Sequence, residues 1–139
     1  MTADETREPR RYFTVEEARA LVPRLRGLLI ALQTEKRQLD AAAQEALQLQ
    51  WKAHGNGHLP ELVHRDIELY QLIQSIRQKI RAIHELGVEI KDLDLGLVDF
   101  PSLREGRTVY LCWKVDEPTV QYWHELDAGF QGRQPLDEP

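Results

Sequence analysis

Two long apolar stripes, separated by the stretch His54-Gly55-Asn56-Gly57-His58, restrict the folds open to this chain more than any other feature. In the second stripe Leu62, Leu69, Ile73, Ile76, Ile80 and Ile83 alternate steps of four and three after a first step of seven. That spacing keeps one side of a helix apolar and is the coiled-coil pattern. In the first, Leu25, Leu28, Leu29, Leu32, Leu39, Ala43, Ala46 and Leu47 keep to one broad face. Thr14 followed by Glu17 forms a capping box, and Phe13 lies where it can pack back onto the first turns. The pattern predicts helices over 14–51 and 60–86, with a kink or restart at Pro23, which lacks a backbone N–H. Pro60 suits a helix start and Gly87 a helix end. A short Gly-rich connection makes the two helices an antiparallel hairpin.

After Gly87 the period changes. Val88, Ile90, Leu93, Leu95 and Leu97 alternate with polar residues, and "TVYLCWKV" is rich in β-branched and aromatic side chains. With the turn signal "REGR" between "LGLVDF" and "TVYLCW", residues 87–115 read as a hairpin within a sheet of two or three antiparallel strands. Residues 116–139 form a C-terminal arm. Asp116 before Pro118 favours a short helix there, and a strand is the alternative. The class is therefore α+β: a single domain of 139 residues with a flexible leader over 1–11. So few strands cannot cover both faces of the hairpin. The apolar surface left over predicts a homodimer, with the hairpins paired as a four-helix bundle.

Net charge is -5, which opposes general nucleic-acid binding; Arg7, Arg10 and Arg11 read as a solvated tail. No secretory signal is visible at the start. The run "ALVPRLRGLLIAL", broken by Arg24 and Arg26, is too short to span a bilayer, so the expectation is a cytoplasmic protein with no membrane association. Cys112 is the one cysteine, and its place in "VYLCW" suits a buried, inert thiol.

Candidate chemistry gathers near the C terminus. "YWHELDAG" starts like a zinc-protease helix but has Ala128 where the second histidine belongs. On a helix, His124 and Asp127 would share a face. A divalent metal could instead draw on His124, Glu125, Asp94 and Asp99, with Asp92 in reserve. The plainer reading is a hydrogen-bonded histidine with turn-forming aspartates. His124 oriented by Glu125 or Asp99 could also act as an acid–base group, though no nucleophile motif accompanies it. Arg133 in "GFQGR" could hold a phosphate or pair with a carboxylate. His54 and His58 could bind metal adventitiously. Trp113 reads as core, and Trp123, His124 and Arg133 as a surface for a protein partner.

The pieces "YFTVEEARALVPRL", "GLVDFP", "LCW", "YWHE" and "GFQGR" resemble the prokaryotic domain of unknown function 2203 family over nearly the whole chain. The resemblance implies a single-domain bacterial cytoplasmic protein and assigns no cofactor or catalytic residue. Two functions follow from the residues. One is a non-enzymatic interaction or regulatory module that dimerises through its hairpin. The other is a metal-dependent hydrolase with its site between the β-hairpin and the arm.

Overall fold

The computed structural model describes residues 9–53 and 59–136, with side chains over 9–48 and 66–136. Helix α1 spans Val15–Ala53 and helix α2 spans Leu59–Glu85. They are followed by strands β1 (Glu89–Asp92), β2 (Leu97–Arg104), β3 (Arg107–Lys114), β4 (Tyr122–His124) and β5 (Gln134–Pro135). His54, His58 and the side chain of Leu62 lie outside the described residues. No helix among the described residues is long and apolar enough to cross a membrane.

The start of α1 forms as its sequence dictates. The Thr14 N–H donates to the Glu17 carboxylate at 2.8 Å, and the Glu17 N–H donates to Thr14 Oγ1 at 3.1 Å. Phe13 is driven into the core, edge-on to Phe100 with ring centroids 5.3 Å apart. Its backbone is pinned as well: Phe13 N–H donates to the Pro101 carbonyl at 2.7 Å, and Ser102 Oγ donates to the Phe13 carbonyl at 2.6 Å. Of the kink or restart expected at Pro23, the restart does not occur: α1 runs through it. A proline inside a helix costs about 3 kcal/mol. Val22 and Leu25 on either side of it, and Ala18 and Leu29 further out, are all buried in one core, and this packing outweighs the lost bond.

The sheet has five strands in the order β1-β2-β3-β4-β5, each antiparallel to its neighbour, rather than the two or three expected. Arg104 opposite Arg107 closes a two-residue turn, and the register of β2 on β3 follows from it. Val98 faces Trp113, Phe100 faces Leu111, and Leu111 faces Trp123. These residues point one way and bury themselves against Phe13, Leu25, Leu29, Leu32 and Ile83. The opposite face presents a row of Glu89, Asp99, Cys112 and Tyr122, and beside it Pro101, Tyr110 and His124.

The arm is where the expectation fails. Tyr122–His124 is a strand, and the only helical piece of the described arm is a 3-10 turn at Phe130–Gly132. Two effects override the helix-start signal. Arg26 of α1 donates to the carbonyls of Val115, Glu117 and Pro118, and Arg19 to that of Val120, which holds 115–120 as an open loop. A helix would also leave the edge of β3 at Tyr110–Cys112 without the partner that β4 supplies.

Candidate functional site

The face of the sheet turned away from the helices holds a buried polar cluster. Asp99 of β2 lies opposite Cys112 of β3, and His124 of β4 lies opposite Tyr110, one row further along. Asp99, Cys112 and His124 are 2%, 0% and 2% exposed. The His124 imidazole is held from both sides. Nδ1 is 2.7 Å from the Glu125 carbonyl, and Nε2 is 3.1 Å from each Asp99 oxygen. A carbonyl only accepts, so Nδ1 bears a proton. Nε2 and Asp99 share a second hydrogen bond.

Burial opposes the charged imidazole, but its hydrogen bonds to Asp99 and the Glu125 carbonyl outweigh it and hold the His124 pKa above its ordinary value. The Cys112 thiol is pushed up to about 12, first by burial and then by the charge of Asp99. It is therefore no nucleophile as it stands. One donor atom from each of Asp99, Cys112 and His124 lies within 4.8 Å of the other two, so the three together could hold a metal ion.

Two networks roof the cluster. On the β1 side, Lys91 pairs with Glu89 at 2.8 Å and lies over the Tyr110 ring, while the Tyr110 hydroxyl donates to Glu89. On the β4 side, Arg133 donates to Glu117 at 2.6 Å and stacks between Tyr122 and Phe130. Glu117 also accepts the Lys114 N–H at 2.9 Å, so one carboxylate ties the arm to the end of β3.

Of the residues singled out from the sequence, the structure brings together Asp99 and His124. Asp94 is elsewhere, paired with Lys36 of α1 at 2.7 Å. Glu125 offers its backbone carbonyl to His124, but its side chain turns to Arg107 at 2.6 Å. Trp123 is 6% exposed and belongs to the core on the helix side. Arg133 is consumed by Glu117 rather than presented to a phosphate. His124 and Asp127 share no helix, and Asp92 accepts the Leu95 N–H in the β1–β2 turn. Arg11 pairs with Glu17 and stacks on Phe13. Cys112 was missed as a member of the cluster. Its signal was the turn: five steps back along each strand from Arg104 and Arg107 reach Asp99 and Cys112.

A family model described as "Uncharacterized conserved protein (DUF2203)" matches residues 11–136. No curated protein and no solved structure matches the chain.

Proposed function

We propose that this chain, which belongs to the DUF2203 family, is a non-enzymatic interaction or regulatory module whose helical hairpin pairs with that of a second copy. The observation that carries this reading is the outer face of α2. Asp66, Tyr70, Ile73, Arg77 and Ile80 follow one another along it in steps of four and three, and Arg81 lies four beyond Arg77. Tyr70 is 65% exposed and Ile80 40%. The stripe is also self-complementary. A second α2 laid antiparallel on it, about a two-fold axis near Gln74, sets Asp66 of each copy against Arg81 of the other and Tyr70 against Arg77. Such an isologous contact supplies two ion pairs and two cation–π contacts around an apolar centre.

Light scattering on the eluting protein tests this. The expected result is twice the chain mass at micromolar concentration, a single chain mass for Asp66→Arg, and recovery of the dimer in Asp66→Arg combined with Arg81→Asp. A wild-type protein that runs as a clean monomer sinks the proposal. A hydrolytic metal centre built from Asp94, Asp99, His124 and Glu125 is the weaker alternative, because Asp94 and Glu125 are engaged in ion pairs away from His124.

A further inference from the structure

We infer that Asp99, Cys112 and His124 form a binding site for one divalent transition ion of the zinc type, held by the carboxylate, the thiolate and the imidazole Nε2. The orientation of the histidine is the first support. Its Nδ1–H is spent on the Glu125 carbonyl, which fixes the tautomer and leaves Nε2 as the nitrogen facing Asp99. Metal-binding histidines are commonly held in this way, with the far nitrogen donating to a carbonyl or carboxylate.

Charge is the second support. A neutral imidazole, a carboxylate and a thiolate together carry two negative charges, which cancel the two positive charges of an ion M²⁺ and remove the main obstacle to burying it. A monovalent or trivalent ion leaves a net charge there.

Donor type and distance narrow the choice. A sulfur, a nitrogen and an oxygen suit zinc and its neighbours, whereas calcium and magnesium require oxygens. Donors around a tetrahedral zinc, with bonds of about 2.0–2.3 Å, stand roughly 3.5 Å apart. Here Nε2 is already 3.1 Å from Asp99, and all three donors lie within 4.8 Å of one another. This site is independent of hairpin pairing.

Untagged protein, stripped with a chelator and kept reduced, is titrated with Co²⁺ and then with Zn²⁺. The expected result is one ion per chain and a thiolate-to-cobalt charge-transfer absorption. Cys112 is the only cysteine of the chain, so that band in the wild type is by itself diagnostic of a Cys112 ligand, even where a variant fails to fold. Cys112→Ser abolishes the band, and Cys112→Ser or His124→Ala weakens zinc binding by at least about a hundredfold, the upper end of what loss of a ligand's supporting partner costs. Asp94→Asn with Glu125→Gln leaves both readings unchanged. A wild type without the band overturns the inference. So does zinc binding that survives Cys112→Ser but is lost in His54→Ala with His58→Ala.

Discussion

Glu105 adopts a left-handed backbone, with φ of 53°, and Gly106 follows at 79°. Two consecutive positive values are what a type I′ hairpin turn requires. Glycine takes this at no steric penalty, but a glutamate pays for its Cβ. Asparagine tolerates the conformation better, and the Glu105–Arg107 pair it would remove is highly exposed and contributes little. Glu105→Asn is therefore expected to stabilise the fold by about 0.5 kcal/mol, read as a higher urea midpoint with unchanged slope. Gly96 is the opposite case. Its φ is 67°, and an added Cβ would lie 2.5 Å from Val115 Cγ1 and 2.7 Å from Val115 Cβ. Its carbonyl also accepts the Val115 N–H, so the turn cannot back away without losing that bond. Strain and overlap together predict that Gly96→Ala destabilises by about 2–4 kcal/mol, seen as a melting temperature lower by roughly 10 °C.

At the scale of elements, the two helices are tied by more than their apolar stripes. Glu35 of α1 accepts from Ser75 Oγ at 2.7 Å and pairs with Lys79 at 3.0 Å, both on α2. Partial burial raises the Glu35 pKa, but the bonds from Ser75 and Lys79 outweigh it and hold it below its ordinary value of 4.5. A carboxylate depressed in the folded state stabilises above the unfolded value and ceases to as pH falls through the folded one. Wild type is therefore expected to exceed Glu35→Gln in unfolding free energy near neutral pH, with the difference shrinking as the pH drops below 4.5. Denaturant titrations at several pH values give the difference directly, and a gap that stays constant down to strong acid contradicts it. Strand β4 makes a complementary point. Its local sequence favours a helix start, yet Trp123 to one face and Tyr122 and His124 to the other is a period of two, and the open edge of β3 decides between them.

For the molecule as a whole, the sheet, among the described residues, meets one end of the hairpin. Gln33 donates to the Leu93 and Asp94 carbonyls, and Lys36 pairs with Asp94. From there α1 continues to Ala53, about 25 Å at the usual rise. Leu47 on α1, with Ile67 and Tyr70 on α2, is exposed in this projecting half, whereas Ile83 at the sheet end is fully buried. If a second copy covers the outer face of α2, folding is linked to assembly by mass action. The melting temperature is then expected to rise with protein concentration, and calorimetry over a hundredfold concentration range checks it. A temperature independent of concentration argues for a folded monomer.

The sequence alone determined the helical hairpin, the capping box at Thr14, the core role of Trp113 and the β2–β3 turn, because each rests on contacts a few residues apart or on a period the chain repeats many times. It also placed Asp99 and His124 among the candidates. It could not fix the company they keep. Whether residues 116–136 coil or pair depended on an edge of β3 and on arginines of α1 that lie about a hundred residues earlier. Only once β4 was laid on β3 did His124 meet Asp99, and only then did Cys112, which its neighbours marked as core, share a dry site with both. Local propensity is decided within a turn or two of chain, whereas the buried cluster is decided by register between three strands.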